Sequence, residues 1–149
     1  MAAQGTVVVF NEAMQWFGSD EMDLENGSFK LMLITNALVP LQDKAIPNIS
    51  DYTEISASTN YVAGGADLAV TYNRVTNVVT FDSTTNPGWV KDAAGSPSIF
   101  YGLVYDSADG NCLAFVVLAT NSEATPISLA AGDVSVTWNV AGVFKLTQV

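Results

Sequence analysis

Fifteen Asp and Glu side chains and a single thiol, Cys112, are the groups in this sequence best placed to do chemistry, and histidine is absent. Acid–base catalysis near neutral pH usually recruits histidine, and nucleophiles need an adjacent base. The common hydrolytic and transfer mechanisms therefore lack their parts. Two carboxylates could still cleave a glycosidic bond, where their separation decides the chemistry, but no motif selects a pair among the fifteen acids. Cys112 opens the apolar run Cys112 to Ala119 beside Leu113 and Phe115, with no basic neighbour to stabilise a thiolate. It reads as an inert core residue. We expect no catalytic residue and no enzymatic activity.

Two acidic groupings invite comparison with cation sites. Asp106, Asp109 and Asn111 surround Gly110, and hard cations favour several oxygen ligands on a tight turn. The spacing is not that of an EF-hand, and the same residues supply the local hydrogen bonds and positive φ that a hairpin turn requires. Asp20, Glu21, Asp23 and Glu25 place four acids within six residues; we read them as a solvated acidic loop, or one paired with a partner's basic surface. The expectation is no metal and no cofactor. Gly64-Gly65 is followed by neither a Lys-Ser/Thr pair nor a helix, so it is no phosphate loop. It marks a bulge or a close backbone approach. Among the aromatic residues, Trp16, Trp89, Trp138, Tyr61 and Tyr72 could stack on sugar rings. Trp138 alternates with Val134 and Val136 and belongs to the core, whereas Trp89 follows the turn Asn86-Pro87-Gly88 and is expected to be exposed.

Charge narrows the partners. A net charge of −10 with five scattered Lys and Arg argues against nucleic acid, which needs clustered cations to neutralise phosphate. It argues equally against anionic membrane surfaces, and no apolar run approaches the roughly 20 residues of a membrane span. Met1 to Phe10 lacks a basic n-region, so a secretory signal is not expected, and one cysteine suits folding in a reducing cytoplasm. Only 13% of residues are charged, about half the usual share of about 25%. Part of the exterior is expected to be covered by a partner.

The elements that must position these residues are mostly strands. Asn11 to Phe17 reads as a short helix with Asn11 as N-cap, stopped by Gly18. Phe29 to Ile34 follows the Asn26-Gly27 turn and is apolar on both faces, the pattern of a central strand. Ala66 to Tyr72, Val78 to Phe81, Ile99 to Tyr105, Cys112 to Ala119, Ile127 to Leu129, Val134 to Trp138 and Val143 to Leu146 complete about eight short strands separated by turn residues. The expected fold is all-β, a two-sheet antiparallel β-sandwich or jelly roll with a short N-terminal helix or arm. Residues 1–27 form the arm and 28–149 a single sandwich domain.

Ala37 to Ser50 carries Pro40 and Pro47 and shows no period; such loops hold contacts more often than core. Leu38, Val39, Leu41 and Ile46 are apolar residues without a structural reason to be there. With Trp89 they are the candidate interface residues. Closed symmetric association would bury them, so we expect a homo-oligomer, a homodimer with a homotrimer as the alternative.

Several short motifs resemble a family of small virion proteins of tailed bacteriophages. Tyr61-Val62-Ala63-Gly64-Gly65-Ala66-Asp67-Leu68 is similar to its Tyr-x-Ala-Gly-Gly-Ala-x-Leu stretch, and Phe29 to Thr35 to its early Phe-Lys-x-x-Leu-x-Thr strand. Val79 to Asp82 with Trp89, Ile99 to Asp106, and Thr137-Trp138-Asn139 with Gly142 to Leu146 follow in the family's order. The resemblance, to capsid decoration or cement proteins of the Bordetella-phage type, implies a β-sandwich or jelly roll on the capsid exterior. It implies the phage major capsid protein as partner, synthesis in the host cytoplasm, and no active site. A tail or head–tail junction protein and a carbohydrate-binding sandwich module are the alternative functions.

Overall fold

A computed structural model describes residues 3–139 and 142–147. Three strands and a helix open the chain: β1 (Val7–Val9), α1 (Asn11–Ser19), β2 (Phe29–Ile34) and the two-residue β3 (Ala66–Asp67). The hairpin β4 (Val70–Val75) and β5 (Val78–Ser83) follows, then β6 (Gly88–Trp89), β7 (Tyr101–Asp106), β8 (Cys112–Val117), β9 (Val134–Ser135) and β10 (Phe144–Thr147). The fold is an all-β antiparallel sandwich with one short helix near its N-terminus.

A five-stranded sheet, in the order β1-β8-β7-β2-β3, holds the candidate loop, because that loop leaves the end of β2. All six residues of β7 and of β8 are buried, so these strands are covered on both faces. One face meets the three-stranded sheet β10-β5-β4: Phe29 of β2 packs edge-on against Phe81 of β5, ring centroids 5.3 Å apart. Phe81 stacks in turn on Phe144 of β10 at 5.1 Å, and Phe144 on Phe17 of α1 at 6.1 Å. On the other face Phe115 contacts Phe10 at 5.3 Å and Tyr101 at 6.3 Å. Burying side chains of this size is the main driving force for closing the two layers.

The segment expected as an arm is tied to this core. β1 pairs with β8 through Val7, Val8 and Val9, and Phe10, Ala13, Trp16, Met22 and Leu24 belong to the same buried cluster as the sandwich strands. The helix differs from the sequence reading at both ends. Its N-cap is Phe10, in extended conformation, and no side chain caps it. Phe10 prolongs the β1 pairing by donating its amide to the Leu113 carbonyl at 3.1 Å, and the helix begins at Asn11, one residue earlier than an Asn11 cap would set it. Gly18 does not stop it. Asp20 does, in the left-handed region at φ 62°, with its amide bonded to the Trp16 carbonyl.

The run Ala66 to Tyr72 is likewise two strands. Ala66 and Asp67 pair with Leu31 and Lys30 of the first sheet, while Val70 onward pairs with β5 of the second. Between them the Leu68 amide bonds the Phe29 carbonyl and the Ala69 amide bonds the Thr85 hydroxyl, which carries the chain from one layer to the other.

Candidate interaction surface

Residues 35–48 leave β2, cross the start of α1 and arrive at the β7–β8 hairpin, and they are fixed along the way. The Thr35 amide donates to Thr53 O at 2.9 Å, and Pro40 is buried. The Asn11 amide donates to Gln42 O at 2.9 Å, and Lys44 Nζ lies 3.2 Å from Asp51 Oδ2. Pro47 is buried and its carbonyl accepts the Cys112 amide at 2.8 Å. Asn48 and Asp51 form a reciprocal capping box on the single helical turn Ile49–Asp51, while Asn48 Nδ2 reaches the Asp109 carbonyl at 3.1 Å. Hydrogen bonds from the Asn48 amide, the largest cause, and the Lys44 ammonium hold the Asp51 carboxyl below the ordinary 3.8.

On this fixed backbone the apolar side chains face outward. Leu38 is 42% exposed, Val39 43%, Leu41 59% and Ile46 65%. Ile46 also has φ 47°, a left-handed conformation that crowds a β-branched residue. It is held there by the buried Pro47 on one side and by the Lys44–Asp51 ion pair on the other. Met14, half exposed on α1, adds an apolar side chain that the sequence reading passed over. Its signal was present: Ala13 and Trp16 take the buried positions of that helix, which leaves the intervening Met14 and Gln15 outside.

Trp89 must be corrected. It is only 8% exposed, and its ring lies 5.7 Å from that of Tyr61. The turn before it sends the chain inward, into the short β6–β9 pair, where Trp89 is opposite Val134. Trp16 and Trp138 are buried as well, so the expected stacking surface for sugars on Trp89 is absent.

The other singled-out residues have local structural roles. Asp106 Oδ1 accepts the Ala108 amide and Asp109 Oδ1 the Asn111 amide, both at 2.9 Å, with Gly110 at φ 82°. These are the hydrogen bonds of a hairpin turn. Asp23 Oδ1 accepts the Glu25 and Asn26 amides at 2.9 and 3.0 Å, and those bonds hold its carboxyl below the ordinary value. No group of three or more Cys, Asp or Glu side chains among the described residues could hold a metal ion. Cys112 is fully buried, and desolvation pushes its thiol pKa far up. No helix among the described residues is long and apolar enough to cross a membrane.

The glycine box is clasped to the five-stranded sheet. Gly64 and Gly65 have φ 89° and 78°. The Tyr61 hydroxyl accepts the Leu33 amide at 3.0 Å and donates to Glu54 Oε1 at 2.8 Å, Glu54 Oε1 also accepts the Gly64 amide at 2.6 Å, and the Tyr105 hydroxyl donates to Gly64 O at 2.7 Å. A cleft of about 390 Å³ lies between β1, β8 and residues 135–139 and 142–143, with Val7, Val116 and Trp138 in its walls. None of its lining side chains is titratable, so it offers no acid, base or nucleophilic thiol. No protein-family model, curated protein or solved structure matches this chain.

Proposed function

We propose that this chain is a non-enzymatic structural protein of a phage virion, one that binds the outside of the head and stabilises the lattice of major capsid protein. The observation that carries the reading is the rigidly held loop with Leu38, Val39, Leu41 and Ile46 turned to solvent. Four large apolar side chains on one fixed loop form the kind of patch that marks an interaction site. Fixing the backbone beforehand lowers the ordering cost of docking. The resemblance from Phe29 to Leu146 supplies the phage capsid as the partner, and the low charged fraction fits a protein whose surface is completed by assembly.

The test is to add the purified chain to phage heads assembled without it and to locate it by labelled negative-stain images. Decoration of the whole head supports the reading. Label confined to the tail or the head–tail junction, or no label at all, overturns it. Leu41→Ser with Ile46→Ser should keep the fold and weaken attachment by about 2–4 kcal/mol, as loss of interface anchors does.

A further inference from the structure

The rim of the apolar loop has a charge, and that charge selects the partner surface. Asp43 is exposed within the loop, Asp51 borders it through Lys44, and Asp109 borders it through Asn48. Glu12 follows Asn11, whose amide is bonded to Gln42. Of the chain's five cations only Lys44 lies in the loop, and it is paired with Asp51 at 3.2 Å. Lys30 on β2 is paired with Asp67, and Arg74, Lys91 and Lys145 belong to β4, the residues after β6, and β10.

We infer that this loop docks into an apolar socket rimmed by Arg or Lys on a different protein, and that it is not the contact between two copies of this chain. The inference rests on the docking reading above and adds the chemistry of the partner. A two-fold contact through the loop would set the same surface against itself, bringing the Asp43 and Asp109 carboxylates of one copy towards the acidic rim of the other, while Asp51 is answered by Lys44 within each copy. Like charges brought together in this way are strongly unfavourable. A basic rim on another protein instead attracts the Asp43 and Asp109 carboxylates and speeds encounter over long range. An anionic lipid surface or nucleic acid would meet the same acids with repulsion. The apolar side chains then provide the lasting contact and the acids the orientation and rate.

The experiment uses phage heads assembled without this chain as the probe, with binding measured in 50, 150 and 500 mM NaCl. Wild type should bind about tenfold more weakly at the highest salt than at the lowest, because charges at a rim are screened over a Debye length. Asp43→Asn with Asp109→Asn should bind about tenfold more weakly at 50 mM and lose most of the salt dependence. Asparagine at 109 keeps the turn's acceptor oxygen, and Asp43→Asn alone, which leaves every turn intact, should show the same direction. Leu41→Ser with Ile46→Ser should lose binding at every salt. Binding that needs Leu41 and Ile46 yet ignores both salt and the Asp43 change overturns this inference alone. Absence of wild-type binding, or binding indifferent to the loop, overturns the docking reading and the inference with it. In sedimentation of the free chain, a dimer abolished by the Leu41 and Ile46 changes would also overturn the inference.

Discussion

The Tyr61 hydroxyl donates to Glu54 Oε1 at 2.8 Å while accepting the amide of Leu33 at 3.0 Å, so one buried phenol joins the central strand β2 to two loop segments. Burial, chiefly, and its bond to Glu54 push the Tyr61 pKa far up. Tyr61→Phe leaves the Leu33 amide without this partner in the core, which costs about 1–3 kcal/mol. Urea denaturation should show a lower midpoint with an unchanged slope. An unchanged midpoint would mean that the hydroxyl contributes nothing to the clasp.

Gly65 and Gly18 should respond oppositely to alanine. Gly65 has φ 78° and lies against the backbone of Leu31 and Met32, where a β-carbon would overlap the Leu31 carbonyl. Gly65→Ala must move β2 or the box, and we expect a loss of about 3 kcal/mol or more. Gly18 is inside α1 with nothing within 4 Å of a β-carbon. Gly18→Ala should raise stability by about 0.5–1 kcal/mol through helix propensity alone. Thermal unfolding of the two variants checks both signs.

These glycines show what the sequence could disclose. Alternation revealed the strands because burial on a pleated sheet imposes a period of two, and β7, β8 and β2 fall within one or two residues of their apolar runs. The passage from β3 to β4 stayed hidden, since a change of hydrogen-bonding partner leaves the side-chain period untouched. Gly18 read as a stop because glycine often ends helices; only packing of Ala13, Trp16 and Phe17 explains why this helix runs past it. Trp89 read as exposed from its neighbouring turn, while the residue that covers it, Tyr61, is distant in the chain. The loop residues Leu38, Val39, Leu41 and Ile46 were legible because apolar side chains in a proline-interrupted stretch, without periodicity, have no face to bury. Their acidic rim was not, because Asp109 reaches it only through the Asn48 contact.

Acidification should destabilise the fold in a defined window. Asp92 accepts the Asn60 amide at 3.0 Å and the Ala94 amide at 2.9 Å; the neighbouring Ser58 hydroxyl, the largest cause, and these amides lower its pKa below 3.8. Asp23 and Asp51 are lowered as well. A carboxyl depressed in the folded state stabilises it fully above its unfolded pKa and loses that contribution as pH falls through the folded value. The melting temperature should therefore hold down to about pH 5 and fall below about pH 4. Asp92→Asn should flatten that fall; an identical acid limb would show that Asp92 is not part of it.

At alkaline pH the sign reverses. Burial, then the hydrogen bond to Glu123, pushes the Tyr101 pKa up to about 12, and Tyr52, Tyr61 and Tyr105 are raised mainly by burial. Their stabilising effect is complete below the unfolded value of about 10 and disappears as pH rises through the folded values. Absorbance at the tyrosinate band should show these four tyrosines ionising late and together with unfolding. Early, independent ionisation would mean that they are solvated.

Ile46 joins stability to docking. Its left-handed backbone at φ 47° crowds the branched side chain, and its 65% exposure means that little burial repays the strain. Strain of this kind costs about 1–3 kcal/mol and persists where the surroundings impose it; here the buried Pro47, the Asn48 capping box and the Lys44–Asp51 pair do so. Glycine adopts this conformation freely. Ile46→Gly should raise the unfolding free energy by about 0.5–1 kcal/mol, less than the full strain because glycine also makes the unfolded chain more flexible. The same change removes the most exposed apolar side chain of the loop and should weaken attachment to heads by at least about tenfold, the effect of losing one interface anchor. Denaturation and head binding measured on this one variant must move in opposite directions. If both fall, the strain is absent and Ile46 serves the fold; if binding is unchanged, the isoleucine is not an anchor, and Leu41 and its neighbours Leu38 and Val39 would have to carry the contact.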